Sequence, residues 1–301
     1  MSDPLVTVVM SMHNEQDYVE AAVRSVLAQT MDRWELIIID DHSSDRSVEI
    51  CRGFDDPRIR LYVKTSQKPY LAASRNLGIQ MARGRFVTFQ DADDVSAPQR
   101  LERQLETASR EPGPSVVGCW VRRIQDGREK LCRLPPRHEQ IVKGFRRQFR
   151  RTTIVGGTIL APRELMRRVP YRTRFRYMQD WDQLLRLHEA GGVRFTNVPQ
   201  PLYDYHIRPK GVLAKPLWLD CNMYVRHCQR MRRLGRPEFA SIEQFMHHLS
   251  RHPLSRVRWM GLRSLVQLRN SVAARLRATR RGQPEAGAPG WSSPTEGTTT
   301  V

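Results

Sequence analysis

Short apolar runs alternate with amphipathic stretches over the first 125 residues. Val6–Met10 is a β-rich apolar run. After it, Val19, Ala22, Val23, Val26 and Leu27 fall at the i, i+3, i+4, i+7, i+8 spacing of one buried helix face. Leu36–Ile39 is continuously apolar and ends in Asp40-Asp41, the pattern of a parallel strand covered on both faces. Ser43-Ser44-Asp45 offers N-terminal capping chemistry for a short helix reaching about Gly53. Ile59–Val63 predicts a third strand and Leu71–Ala82 a helix closed by Gly84. Phe86–Phe89 predicts a fourth strand, and Pro98 starts another helix. Strands alternating with helices predict an α/β fold: a Rossmann-like, doubly wound, mostly parallel sheet with helices on both faces.

The pattern weakens after a turn at Glu111–Pro114. Val116–Val121 predicts a further strand, whereas 122–152 reads as basic and irregular, broken by Pro135-Pro136. Gly156–Leu160 predicts a strand, Pro162–Arg168 a short helix, and Tyr177–Ala190 a helix ending at Gly191-Gly192. Phe195–Val198 and Leu202–His206 flank a proline-rich turn. The first domain is expected to span 1–212.

Charge then changes the picture. The chain has 301 residues, with 50 Lys+Arg against 31 Asp+Glu, a net of +19, so an anionic partner is expected. Between Asp220 and Arg281 there are 14 arginines, no lysine and 3 acids; Arg251–Arg281 holds nine arginines and no acid. Leu262, Leu265, Leu268, Val272 and Leu276 recur there at helical spacing. The segment 213–281 therefore reads as a basic helical extension. Such a helix suits an anionic membrane surface, or packs on the domain with its basic face in water. Aromatics are not interleaved with the arginines and no nucleic-acid motif is present, so nucleic acid is the least favoured partner. Residues 282–301 have the composition of a disordered tail. No apolar run approaches the roughly 18 residues of a membrane span. The N-terminus lacks the basic region of a signal peptide. The five cysteines are scattered without a CxxC pair, so reduced thiols in a cytoplasmic protein are expected, not a disulfide framework or a zinc site.

Candidate chemistry collects at strand ends. The loop Ser11–Asn14, Asp40-Asp41 and Asp91-Ala92-Asp93-Asp94 all follow strands, and open α/β sheets bind ligands at that edge. Two carboxylates one residue apart suit a hard divalent cation, Mg²⁺ or Mn²⁺, shared with substrate phosphates. The competing reading is that such acids cap the next helix, which fits Asp45 best. No GxGxxG follows the first strand, which argues against a dinucleotide enzyme.

Taken together, five segments resemble family 2 glycosyltransferases of the GT-A fold. They are Val6-Thr-Val-Val-Met-Ser-Met-His-Asn-Glu15, Ser25-Val-Leu-Ala-Gln-Thr30, Trp34-Glu-Leu-Ile-Ile-Ile-Asp-Asp-His-Ser-Ser-Asp45, Ala73-Ser-Arg-Asn-Leu-Gly78 and Phe86-Val-Thr-Phe-Gln-Asp-Ala-Asp-Asp94. They lie in family order within residues 5–210. The resemblance implies a nucleotide-binding half over 1–125 and an acceptor half over 126–212. It implies a nucleotide-sugar donor, most readily a UDP-sugar, and a sugar, lipid-linked or protein acceptor, in cell-surface polysaccharide or glycoconjugate synthesis. Ser11, His13, Asn14 and Glu15 would line the nucleotide pocket, Asp41 would accept from the uracil imide, and Arg75 would lie near the base or diphosphate. Asp91 would face the ribose and Asp93 hold the metal, with Asp94 assisting through the loop. Met178-Gln179-Asp180-Trp181-Asp182 matches the position of the family's base, with Gln179 where Glu is usual. Asp180 would be the general base of one inverting displacement, Asp182 the alternative, and helix capping the competing role of both. His206 would approach the metal or diphosphate, or else pack.

Gln183-Leu-Leu-Arg186-Leu187 resembles the QxxRW motif of processive synthases only superficially, so a non-processive enzyme is expected. Two rival functions remain at this stage. Asp91-Ala-Asp-Asp-Val95 matches a haloacid-dehalogenase phosphatase signature, although three strand–helix units precede it. A catalytically inactive, membrane-associated binding module is the other.

Overall fold

The computed structural model describes residues 3–65, 71–146, 153–208 and 217–251. Four parallel strands form the heart of the sheet. They are β1 (Val6–Met12), β2 (Trp34–Asp40), β3 (Ile59–Val63) and β4 (Phe86–Asp91), with β1 between β2 and β4. The helices between them are α1 (Val19–Leu27), α2 (Ser47–Arg52) and α3 (Leu71–Met81). Then follow β5 (Val95–Ser96), α4 (Arg100–Ser109), β6 (Ser115–Gln125), β7 (Arg128–Cys132) and α5 (His138–Arg146). A 3-10 turn at Gly156–Thr158 leads to β8 (Leu160–Pro162), α6 (Arg163–Arg168), α7 (Gln179–Glu189) and β9 (Arg194–His206). The strand order is β3-β2-β1-β4-β8-β6-β9-β5, with β7 added to β6.

Both faces of the central strands are covered. Val6, Val8, Met10 and Met12 join a core with Val19, Ala22, Val23 and Val26 of α1. Val9 points the other way, where α3 packs so closely that a Cβ on Gly78 would lie 2.3 Å from Val9 Cγ1. A strand buried on both sides needs a continuous apolar run, which is why Leu36–Ile39 is wholly buried. Short β8 runs antiparallel to β4 and β6 and joins the halves. β6 and β9 then pair in parallel, so the ends of β4 and β9 approach the same edge.

Several expectations are corrected here. The segment 122–152 is not irregular throughout. β6 continues to Gln125, turns at Asp126-Gly127, both in left-handed backbone (φ 51° and 71°), and returns as β7. α5 follows the proline pair. Gly156–Thr158 is a 3-10 turn, not the start of a strand. The two pieces around Pro201 are one long strand whose register against β6 shifts near Trp120.

Residues to Phe245 form one compact unit, which includes α8 (Leu217–Arg233). α9 runs Ile242–Arg251. The boundary near 212, the basic helix over 262–276 and the tail over 282–301 lie outside the described residues. All five cysteines are free, and burial pushes the Cys51 thiol up to about 12 and Cys119 to about 11. No helix among the described residues is long and apolar enough to cross a membrane.

Candidate active site

The loops after β1 and β2 are fastened to each other. Asn14 N–H donates to Ser43 Oγ (2.9 Å), and Ser44 N–H donates to Asn14 Oδ1 (2.7 Å). Glu15 N–H donates to Ser47 Oγ at 2.7 Å. Asp45 accepts from Ser47 N–H and from Gln16 N–H, the capping role expected of it. His13 Nδ1 lies 2.8 Å from the Asp41 carbonyl. Asn14 and His42 both hold left-handed backbone (φ 57° and 67°), a conformation that non-glycine residues adopt at a cost. Asp41 is buried, and Lys64, at the end of β3, donates to its Oδ1 at 2.5 Å and to Ser74 Oγ at 3.2 Å. Lys64 has no counterpart among the residues picked out from sequence, because a lone lysine after a strand carries no pattern.

The acid loop after β4 is built on a buried arginine. Arg100, at the start of α4, is 1% exposed. It donates to Gln90, Ser96, Gln104 and Thr88 side chains and to the Phe89 and Gly157 carbonyls. Six acceptors replace the water that a guanidinium loses on burial, and they fix the strand end from which the loop leaves. The Asp91 N–H donates to the Tyr203 hydroxyl at 3.0 Å. Asp91 Oδ1 accepts from Arg75 Nη2 at 2.8 Å, and Asp93 Oδ2 forms an ion pair with Arg208 Nη2 at 2.7 Å. Burial, and then the Asp91 charge, push the Asp93 carboxyl upward. Burial pushes Asp94 to about 8, even though His206 N–H donates to its Oδ1 at 2.8 Å. Asp94 Oδ2 and Ser11 Oγ are buried without a hydrogen-bond partner among the described residues.

The 3-10 turn connects this loop to Asp180. A Cβ added at Gly156 would meet Asp180 Oδ2 at 2.6 Å. One added at Gly157 would meet the Tyr203 hydroxyl at 2.6 Å and Asp91 Oδ2 at 2.8 Å. Two consecutive glycines thus have the two carboxylates against them, from α7 and from β4. Asp180 lies in the first turn of α7, entered through Met178 in left-handed backbone (φ 64°). Its Oδ1 accepts from Trp181 N–H at 2.8 Å. Burial pushes its carboxyl upward, opposed by the Arg75 charge. Its place in the first turn of a helix, where the dipole favours a negative charge, does not prevent a net rise. Arg75 is itself buried, 5.0 Å from the Phe89 ring centroid and 5.5 Å from that of Tyr171. Burial disfavours its charge, but Asp91, Tyr171 and Asp180 together outweigh burial and keep it cationic.

Asp182 lies elsewhere. It is fully buried and binds Arg172 and Arg186, each through Nε at 2.9 Å. Gln183 and Arg186 donate to the carbonyls of Val169 and Pro170, which fastens α7 to the preceding loop. His206 Nδ1 is 3.7 Å from Asp94 Oδ1, and its ring is drawn upward in pKa chiefly by that carboxylate. Arg208 is the second residue that sequence reasoning missed here. It binds Glu15 through both terminal nitrogens, at 2.9 and 2.8 Å. Burial raises the Glu15 carboxyl, and Arg208 opposes the rise.

The sheet edge thus carries an acid pair, an acid one dipeptide away, and loops from β1 and β2. The family model of glycosyl transferase family 2 matches residues 7–175, more than half of the chain. The chain belongs to glycosyltransferase family 2. It is 32% identical over 216 residues to the putative glycosyltransferase EpsE of Bacillus subtilis, covering 67% of this chain and 73% of that one. It is 38% identical over 105 residues to the Escherichia coli UDP-Glc:alpha-D-GlcNAc-diphosphoundecaprenol beta-1,3-glucosyltransferase WfgD, covering 35% of this chain and 41% of that one. The match thus spans less than half the length of WfgD. Among solved structures it is similar to S. aureus TarS 1-349 in complex with UDP-GlcNAc, with TM-score 0.60 at 15% identity over 75% of this chain and 66% of that one. That likeness is one of fold, GT-A. Membership in a glycosyltransferase family displaces the phosphatase reading. In this transferase the acid loop leaves the fourth strand, and Asp91 is paired with Arg75.

The transferase's acids also bear on the divalent ion that the family commonly uses. No group of three ligating side chains among the described residues is placed to hold an ion without help. Asp91 and Asp93 each keep one oxygen clear of their arginine contacts, and Asp94 Oδ2 has no hydrogen-bond partner among the described residues. That donor set fits Mg²⁺ or Mn²⁺ held by one or two carboxylates and completed by substrate phosphates.

Proposed function

We propose that the chain transfers a sugar from a nucleotide-sugar, most readily a UDP-sugar, to an acceptor hydroxyl in one inverting displacement. The observation that carries this reading is the pair of glycines with Asp180 against one and Asp91 against the other. An attacking hydroxyl beside Asp180 and a departing diphosphate beside Asp91 would be held a dipeptide apart, which is the positioning a single displacement needs.

Each group then has a role. The loop Ser11–Glu15 lines the nucleotide, and Asp41, braced by Lys64, accepts from the imide N–H of the base. Arg75 fixes Asp91 and gives the buried diphosphate end a positive charge. Asp93, with Asp91, would hold the divalent ion; when bound, that ion supplies Lewis-acid neutralisation of the departing diphosphate. Asp180 takes the proton from the acceptor hydroxyl as its oxygen bonds the anomeric carbon and the bond to the diphosphate breaks on the opposite face. Burial suits it to this task, since a carboxylate raised in pKa holds a proton more firmly. The relative WfgD is named for transfer from UDP-glucose to a lipid diphosphate-linked sugar. A saccharide acceptor in polysaccharide synthesis is the reading we adopt for this chain.

The test is ligand-dependent melting. UDP with Mn²⁺ should raise the melting temperature more than either alone, by mass action on the folded state. The same rise with ADP and Mn²⁺ would remove Asp41 from base reading. No rise with any nucleoside diphosphate would overturn the donor site.

A further inference from the structure

Arg208 crosses the donor end of the site and has no part in the mechanism above. It follows β9 and reaches two acids on loops from neighbouring strands. Glu15 lies after β1 and receives two N–H bonds; Asp93 lies after β4 and forms an ion pair with the same guanidinium, its Oδ2 2.7 Å from Nη2. The guanidinium also stands 5.4 Å from the centroid of the Tyr18 ring. Its side chain is 35% exposed, so the contact is open to exchange with water and ligand.

The charges decide what such a contact does. Arg75 already balances Asp91. Glu15 and Asp93 share the single charge of Arg208. Without it, two bare carboxylates face the donor end, a deficit that suits a divalent cation. Arg208 therefore supplies at Asp93 what that cation would supply, and the two compete for the same carboxylate charge. A guanidinium also matches phosphate as well as it matches carboxylate, because its parallel N–H pairs fit either.

We propose that Arg208 is the resident cation of the donor-free enzyme, and that donor binding moves it from Asp93 to the diphosphate while Glu15 keeps hold of it. The inference rests on the donor-site reading above. It gives the exchange no stage at which a buried charge stands alone. Asp93 is released to the divalent ion in the same event that brings the phosphates which complete that ion's shell. Nucleotide and metal binding should accordingly be positively coupled, each removing the competitor of the other.

The test measures Mn²⁺ binding to the full chain by electron paramagnetic resonance, with and without UDP. Wild type should bind Mn²⁺ weakly alone and much more tightly with UDP. Arg208→Gln should raise Mn²⁺ affinity in the absence of nucleotide by roughly tenfold, the scale of one charged contact. The further gain from UDP should shrink in that variant. UMP, which lacks the diphosphate, should not reproduce the gain in wild type. Glu15→Gln removes a negative charge but leaves the competitor, so it should not raise Mn²⁺ affinity. Unchanged Mn²⁺ affinity in Arg208→Gln, with UDP still strengthening it in both proteins, would overturn the competition and leave the donor site standing. Failure of either protein to bind Mn²⁺ even with UDP would overturn the donor-site reading, and this inference with it.

Discussion

Asp180 and Asp182 are two residues apart on one helix, and their surroundings assign them opposite work. A step of two residues turns a side chain about 200° around a helix. Asp180 therefore meets the glycine turn, while Asp182 points into a ring of arginines. Asp180→Asn keeps the shape and the bond from Trp181 N–H but loses the proton acceptor. Turnover should fall by about 10²–10⁴-fold, the usual contribution of a general base, with UDP–Mn²⁺ affinity nearly unchanged. Asp182→Asn should do the reverse. It leaves Arg172 and Arg186 facing a neutral group in a buried site, and should cost on the order of 3 kcal/mol of stability with little effect on turnover per folded molecule. Steady-state rates beside urea unfolding curves separate the two. If Asp182→Asn were stable and inactive while Asp180→Asn turned over normally, the base would be misassigned. From sequence the pair is legible as a motif but not as a division of labour, because the glycine turn that meets Asp180 comes from a separate segment and Arg172 reaches Asp182 from the loop before α7, neither at a spacing that marks it.

At the scale of elements, legibility followed burial. β1, β2 and β4 are apolar-rich runs between covered faces, and their sequence announces them. β7 is mostly exposed, with charged residues at 128–130, so its periodicity is silent; the only signal was Asp126-Gly127, a turn pair that favours hairpins. The site's geometry was hidden for the same reason. Arg100 and the glycine turn act through positions that no spacing rule marks. The α7–α8 contact shows how much depends on such distant partners. Glu238 lies beyond α8 and accepts from Arg172 Nη1 at 2.7 Å, from Arg232 Nη1 at 2.9 Å, and from Arg174. Burial pushes its carboxyl up, but the Arg232 and Arg172 bonds and charges outweigh burial and bring it to about 2. A depressed acid stabilises the fold above its unfolded pKa near 4.5, and that contribution is lost as pH falls toward 2. Glu238→Gln should thus be less stable than wild type at pH 7, and the gap should narrow between pH 4.5 and 2. Melting temperatures across that range check it; a gap independent of pH would mean that packing, not charge, ties Glu238 to the arginines.

At the scale of the whole molecule, the chain combines a catalytic unit with a strongly basic C-terminal stretch. The compact unit ends at Phe245, and the nine acid-free arginines of Arg251–Arg281 lie beyond it. An acceptor carried on a lipid would place the substrate at a membrane surface, where each basic residue contributes roughly 1 kcal/mol of attraction to anionic lipid. Deleting residues 251–301 should then leave UDP–Mn²⁺ stabilisation intact, since every residue assigned to the donor site lies before Ile207 apart from Arg208, and both precede the cut. The same deletion should abolish sedimentation with vesicles containing phosphatidylserine, and the binding of the full chain should weaken as salt rises. Vesicles of neutral phosphatidylcholine should bind neither form. Equal sedimentation with and without the segment would remove it from membrane contact. A deletion that lowers the melting temperature by several degrees while leaving vesicle binding unchanged would instead make the segment a packed part of the catalytic unit, with its arginines turned to water.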